Sequence, residues 1–404
     1  MPKRLVNYRN KGKGLIVASA SDTGSGATLT ASARAIFRLL ALQGSATRPQ
    51  LGQSLGLSRP TMSAAMSELE RIGYVDRVGE VQGALGRKAA MYRVGTAAGH
   101  VIAVDAGSTH IRLRVSTIDC RLLHSRVYRL PSSQLMLGAE ISAAVADEVA
   151  AAMAVAQADW GPLRALGIAL PSRVVGPGED TVATRQDELF SRFAPPQGAP
   201  LILENNVNCA AVAEHVYGAA QETATFAYVQ VGLKIGMGLM LEGRLLRGRN
   251  GAAGEIGHLA FPLAGDARPE PGEIERYMGT EALMRRVRDG WPAGEGDAPA
   301  DTSDLLARAE SGSGAAQAAV TRHAEDIGAI VASCVAVVDP GIVVLGGGVG
   351  GHPRLAPRVE EVANRLSYPV EVRTSTLGSD ATVLGIEKLV VDRALEGLVG
   401  ELRA

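Results

Sequence analysis

Val104-Asp105-Ala106-Gly107-Ser108-Thr109 ends an apolar run and turns on a glycine into a second extended segment, His110 to Ile118. The pattern returns at Val231-Gly232-Leu233-Lys234-Ile235-Gly236, followed by the extended run Gly238 to Leu246. Glycine at such a turn opens backbone angles closed to other residues and lets the chain approach an anion closely. One such turn is an ordinary hairpin. Two at matching places predict a molecule of two related halves, with phosphate-type loops facing a cleft.

Around these turns strands alternate with helices. His100 to Asp105, His110 to Ile118 and Leu122 to Leu130 are apolar or alternating and rich in β-branched residues, as strands are. Ile141 to Gln157 reads as a helix and Arg164 to Leu170 as a strand. The strand Pro200 to Leu203 leads through Glu204-Asn205-Asn206-Val207-Asn208 into a helix, Cys209 to Tyr217. Thr225 to Val231 and Gly236 to Leu246 form a strand pair. Glu281 to Asp289 and Ser303 to Val338 are mainly helical, and Pro340 to Leu345 is a strand ending in Gly346-Gly347-Gly348. Arg354 to Leu366 and Thr382 to Leu395 are helices. The alternation predicts an α/β body over residues 96–404.

The front of the chain follows a different pattern. Residues 1–30 have few large apolar side chains after Val17 and read as a disordered basic tail. From Ser32, Ile36, Leu39 and Leu40 recur at helical spacing until Gly44. Thr47 starts a second helix, with Gln50 three residues on completing a capping box. After the turn Gly56-Leu57-Ser58, Ser58 caps a third helix from Arg59 to about Ile72, with the apolar stripe Met62, Met66, Leu69 and Ile72. Val75 to Val81 and Ala89 to Val94 then flank the basic loop Gly83-Ala84-Leu85-Gly86-Arg87-Lys88. Three helices and such a hairpin spell a winged helix-turn-helix over residues 31–95. Its third helix would offer Arg59, Thr61, Ser63 and Ser67 to the major groove of double-stranded DNA. Arg87 and Lys88 in the wing would reach the minor groove or phosphates. A small helical domain that binds protein is the alternative.

Charge agrees with this division. Residues 1–100 hold 14 Lys/Arg against 5 Asp/Glu, a balance of +9, while the remainder carries −10. A basic front on an acidic body suggests a nucleic-acid-binding module joined to something else. With 404 residues, 46% hydrophobic and 21% charged, the chain suits a soluble globular protein of two or three domains. No apolar run approaches the ~18 residues of a membrane helix, so no membrane partner is expected. Met1 to Gly14 lacks the apolar core of a secretory signal. Cys120, Cys209 and Cys334 lie far apart with no CxxC pair, which argues against a disulfide framework and fits the cytoplasm.

One segment is more specific than the rest. Gly251-Ala252-Ala253-Gly254-Glu255-Ile256-Gly257-His258 follows the pattern G-x-x-G-E-x-G-H. With the Asp105/Gly107 loop, Glu204 to Asn208 and Leu345-Gly346-Gly347-Gly348, it resembles the ROK group of repressors and sugar kinases, over nearly the whole chain from about residue 31. The resemblance implies a two-lobed actin-like/ribonuclease H-like (sugar kinase-like) fold preceded by the winged helix-turn-helix, as in the repressor branch. It implies sugar ligands at Asn205, Glu255, His258 and Glu275, with Asn206 where the catalytic aspartate of a kinase would stand. The chemistry is suitable, because amides and carboxylates take adjacent sugar hydroxyls in pairs and a histidine donates or accepts. The other reading of each is a surface or capping polar group.

Three departures from the family pattern bear on catalysis. Asn206 cannot take a proton from a hydroxyl, and a positioned base is worth about 10²–10⁴-fold in rate. The second phosphate loop, usually G-T-G-I-G, is Gly232-Leu233-Lys234-Ile235-Gly236, which lacks a hydroxyl and adds a bulky cation. The stretch Asp266 to Glu273 has no cysteine where the family's structural zinc is bound. The expectation is a non-enzymatic regulator of carbohydrate genes, without metal or cofactor, gated by a carbohydrate effector and acting as a homodimer on a two-fold operator. A sugar kinase with an appended DNA-binding domain is the second reading, and a regulator sequestered by a protein partner the third. Arg173 and Lys234 either add positive charge suited to a sugar phosphate or sugar acid, or point to solvent.

Overall fold

The computed structural model describes residues 15–17, 29–82, 88–131, 139–174, 193–260 and 270–400. Arg87 and half of the cysteine-free stretch, 266–269, fall outside them, as does most of the basic tail. Within the tail, Leu15–Val17 forms a strand, β1. That corrects the reading of residues 1–30 as disordered throughout.

The front module begins with α1 (Ala31–Gln43), capped by the Thr30 hydroxyl and closed at Gly44. After β2 (Ala46–Thr47) comes α2 (Arg48–Leu55), with the Thr47/Gln50 capping box formed in both directions. Such a cap contributes about 1 kcal/mol. α3 (Arg59–Arg71) is capped by Ser58 and buries Met62, Ala65, Met66 and Leu69. β3 (Val75–Gln82) and β4 (Lys88–Val94) pair antiparallel, and β2 joins β4 as a third strand. A two-residue strand has no periodicity to read, so β2 was not anticipated.

In the body, β5 (His100–Ala106), β6 (His110–Thr117) and β7 (Leu122–Arg129) form an antiparallel meander. α4 (Ala139–Ala154) leads to β8 (Leu163–Leu170), which lies parallel to β5, and β9 (Leu201–Asn205) follows. After α5 (Asn206–Tyr217) the plan repeats with the meander of β10 (Phe226–Val231), β11 (Ile235–Leu241) and β12 (Arg244–Leu246). The helices α6 (Glu273–Met278), α7 (Thr280–Asp289), α8 (Thr302–Glu310) and α9 (Gly314–Val338) come next. β13 (Ile342–Gly346) lies parallel to β10, then come α10 (Leu355–Leu366), β14 (Glu371–Thr374) parallel to β13, and α11 (Ala381–Val399).

Among the described residues the sheets run β1-β9-β8-β5-β6-β7 and β12-β11-β10-β13-β14. Without β1 the first order, read from β7, is β7-β6-β5-β8-β9, which matches the second strand for strand. The duplication expected from the two glycine turns is therefore real. β1 is the extra member, pairing antiparallel with β9 at Leu15↔Leu203, Ile16↔Ile202 and Val17↔Leu201.

Ser303 to Val338 is two helices rather than one, and two further boundaries differ from the sequence reading near the site. α5 starts at Asn206 rather than Cys209, because the Asn205 side chain caps it. The run Gly236 to Leu246 breaks into two strands at Glu242-Gly243, whose φ values of 51° and 72° make a tight hairpin turn. The chain divides into two compact units, Asn205–Gly385 in one and Gly14–Glu204 with Ile386–Ala404 in the other. Each has its own apolar core, around Val229, Ile327 and Val343 in the first and Ile102, Ile111 and Ile168 in the second. No helix among the described residues is long and apolar enough to cross a membrane.

Candidate functional site

The candidate DNA-facing surface is built on α3. Packing Met62, Ala65, Met66 and Leu69 inward leaves Arg59, Thr61, Ser63 and Ser67 exposed. The carboxylates on the same helix are tied elsewhere. Glu68 accepts hydrogen bonds from the Thr30 N–H at 3.1 Å and its hydroxyl at 2.7 Å, at the start of α1. Glu70 pairs with Arg48 at 3.1 Å, and the Arg48 guanidinium lies 5.0 Å from the Tyr92 ring centroid. The exposed stripe is thus polar and positive, as binding to a polyanion requires. The Thr61 hydroxyl lies 2.8 Å from the Ser58 hydroxyl, so it also belongs to the cap of α3. Lys88 is exposed at the outer end of β4, next to the wing loop, 3.9 Å from a Glu80 carboxylate oxygen. Glu80 and its other partner Arg77, 2.5 Å away, were not singled out in the sequence.

The second candidate site is organised by β11 within the unit 205–385. On one side Gly236 and Gly238 let α5 press against the strand. A Cβ at Gly236 would lie 3.1 Å from Val207 Cγ2, and one at Gly238 would lie 2.7 Å from the Ala211 Cβ. That contact fixes the first turn of α5, where Asn205 Oδ1 accepts from the Val207 and Asn208 N–H groups at 2.8 and 3.2 Å. Asn205 therefore does the work of a cap, whatever else it binds. Asn206, the first residue of α5, is half-buried.

On its other side β11 carries the Gly251–His258 segment. The Met237 N–H donates to Gly254 O at 2.9 Å. Gly254 has φ +86°, and a Cβ there would lie 1.7 Å from Met237 O, so only glycine fits. Glu255 is half-buried at the start of a 3-10 turn, Ile256–His258, and His258 at its end is exposed. α6 packs on this turn, and a Cβ at Gly257 would meet Glu275 Cβ at 3.0 Å and Oε2 at 3.3 Å. Glu255, His258 and Glu275 thus share one 3-10 turn and the helix on it, joined through β11 to the asparagine pair. Lys234 Nζ lies 3.7 Å from Glu275 Oε1, so the cation added to the loop has a carboxylate beside it. The Gly232–Lys234 loop is further held by a hydrogen bond from the Thr280 N–H to Gly232 O at 3.0 Å. Arg173 stands half-buried three residues beyond the end of β8, in the other unit.

This arrangement of a glycine-braced Glu-x-x-His turn on one side of β11 and a capped Asn-Asn helix start on the other belongs to a chain with a family match. Residues 101–393 match the ROK family. The chain belongs to the ROK family. Residues 29–76 of this ROK protein match a winged helix-turn-helix DNA-binding family. The chain is similar to the xylose repressor of Bacillus subtilis (strain 168), 23% identical over 363 residues that cover 87% of this chain and 92% of that protein. Among solved structures it is similar to a ROK family transcriptional regulator described as a homolog of the E. coli MLC protein. That likeness has a TM-score of 0.67 at 18% identity, covering 91% of this chain and 96% of the other. A ROK hexokinase from Thermus thermophilus is similar at a TM-score of 0.54 and 29% identity, covering 74% of this chain and all of that one. Regulators and kinases share the ROK fold, so individual residues must separate them.

Proposed function

We propose that this ROK protein is a DNA-binding transcriptional repressor of carbohydrate uptake or catabolism genes. It acts in the cytoplasm as a homodimer, gated by a sugar or sugar derivative held by Asn205, Asn206, Glu255, His258 and Glu275. Arg59, Ser63 and Ser67, with Thr61 in part, meet the major groove, and Lys88 and Arg87 meet the backbone or minor groove. The observation that carries the reading is Asn206, on a chain that also bears a winged helix. At the first residue of α5 an amide holds a hydroxyl as well as a carboxylate does, but it cannot accept the proton that phosphoryl transfer must remove. Glu255 and Glu275 supply charged acceptors, whose hydrogen bonds are worth about 1.5–3 kcal/mol each. The Lys234–Glu275 pair limits the positive charge at this surface, which favours a neutral sugar over a sugar phosphate.

The test combines two measurements on the full chain. Binding of labelled duplex from upstream of its own gene is titrated with neutral sugars, their phosphates and sugar acids, and ATP turnover is followed with the same panel. Duplex binding that changes with a neutral sugar, without ATP turnover, is the expected result. Sugar-dependent ATP hydrolysis would instead establish the second reading, a sugar kinase with an appended regulatory domain. The similarity to the hexokinase keeps that reading in view.

A further inference from the structure

The wing holds a charge cluster of which the proposed function uses only Lys88. Between Arg77 and Gly79 the register of β3 on β4 slips, so Val78 is an extra residue without a partner, and Gly79 has φ +154°. In a regular strand, residues i and i+3 point to opposite faces. The bulge cancels that alternation and brings Arg77 and Glu80 to one face. There an Arg77 Nη atom lies 2.5 Å from Glu80 Oε1, and Lys88 Nζ lies 3.9 Å from Glu80 Oε2. The side chains are 55%, 42% and 75% exposed for Arg77, Glu80 and Lys88. By register, Val75 and Val94 belong to the same face, and both are buried at the base of the hairpin. The cluster therefore occupies the outer part of the face that packs inward at its base.

Exposed ion pairs contribute little to stability, about 0–1 kcal/mol, so a bulge that aims a carboxylate between two cations needs another explanation. Two cations bridged by one bidentate oxyanion reproduce the way basic side chains grip a phosphate. We propose that Glu80 occupies the place of a DNA phosphate in the free protein, and that Arg77 is a phosphate-contacting residue of the wing. This rests on the DNA-binding reading above. On binding, a backbone phosphate displaces Glu80 from Arg77 and Lys88, and the displaced carboxylate opposes it. Phosphate contacts carry no sequence information, so Glu80 lowers affinity for every duplex and leaves the preference between sequences unchanged.

The experiment measures fluorescence anisotropy of a labelled duplex of mixed sequence, about 30 bp long so that a winged helix and its flanks are fully covered, over a range of salt. It compares the wild-type chain, Glu80→Gln, Arg77→Gln and the double variant. Glu80 is exposed and the change is isosteric, so unfolding curves should coincide. Glu80→Gln is expected to bind about 2–5-fold tighter, the span of an exposed pair's energy. Its log–log salt slope should steepen by up to about one unit. Arg77→Gln should weaken binding, and the gain from Glu80→Gln should shrink in the Arg77→Gln background. A Glu80→Gln chain that binds equally or more weakly overturns the proposal while the DNA-binding reading stands. A wild-type chain that binds no duplex at low salt overturns both.

Discussion

At the scale of single residues, Asn206 and Asp differ by one side-chain atom in the group that must accept a proton. Restoring the carboxylate is nevertheless expected to leave the protein without kinase activity. In Asn206→Asp, the loop at Leu233 and Lys234 still lacks the hydroxyl and still carries the cation paired with Glu275. A coupled assay with ATP and a sugar panel should read no turnover above background, and turnover within about 10²-fold of a working kinase would show that the base alone was missing. Asn206 was legible in the sequence because the motif around it is specific. The capping role of Asn205 was visible only as an option, since one side chain both ends β9 and starts α5.

His323 gives a second prediction at the same scale. It is buried on α9, with neither ring nitrogen hydrogen-bonded among the described residues, against Leu283, Leu305, Val320 and Leu355. Burial, with Arg286 nearby, pushes its pKa down to about 4. Below the ordinary value near 6.5 the unfolded chain takes a proton that the folded chain refuses, so stability falls as pH drops from about 6.5 to about 4 and then levels. Urea unfolding of wild type should lose about 2–3 kcal/mol more than His323→Leu between pH 7.5 and 4.5. Parallel losses in the two proteins would mean the imidazole is not the group responsible.

At the scale of elements, the helices of the front module were readable because their ends carry side-chain signals. Thr47 and Gln50 announce α2, and Ser58 announces α3. The elements missed are those whose stability comes from elsewhere in the chain. β2 is two residues long, α6 follows a Pro-Gly break and spans six, and β14 is a half-polar edge strand of four. The Arg77–Glu80 cluster was hidden because i and i+3 in a strand ordinarily diverge, and nothing but Gly79 hints at the bulge. β1 was hidden because its partner lies on β9. Replacing Leu15-Ile16-Val17 by Gly-Ser-Gly should speed amide hydrogen exchange in β9 by on the order of tenfold, the loss of roughly one kcal/mol of local protection. Unchanged exchange at Leu201 to Leu203 would mean that β1 does not cover that edge in solution.

At the scale of the whole molecule, the sequence announced the division of charge and the repeated fold. The +9 front and −10 remainder and the two glycine turns are properties of the chain read straight through. The proposed repressor would couple two ligands, and such a coupling must be reciprocal. If a sugar changes affinity for operator DNA by a factor of about 5–150, operator must change affinity for the sugar by the same factor. Calorimetric titration of the sugar with and without duplex checks this, and unequal factors would mean that the two ligands do not act on one shared equilibrium.

The pairing of β1 with β9 also sets an order in time. Leu15 leaves the ribosome well before Leu203, the residue it pairs with. β1 must wait for more than a hundred further residues to be made before its partner exists. Until then Leu15-Ile16-Val17 is an apolar segment whose partner has not been made, and for a moment afterwards β9 is an uncovered edge. Edges of that kind recruit strands from neighbouring chains. Crowded synthesis of this protein, as on closely spaced ribosomes, therefore has a defined point of vulnerability, in which the first strand of one chain closes the sheet of another.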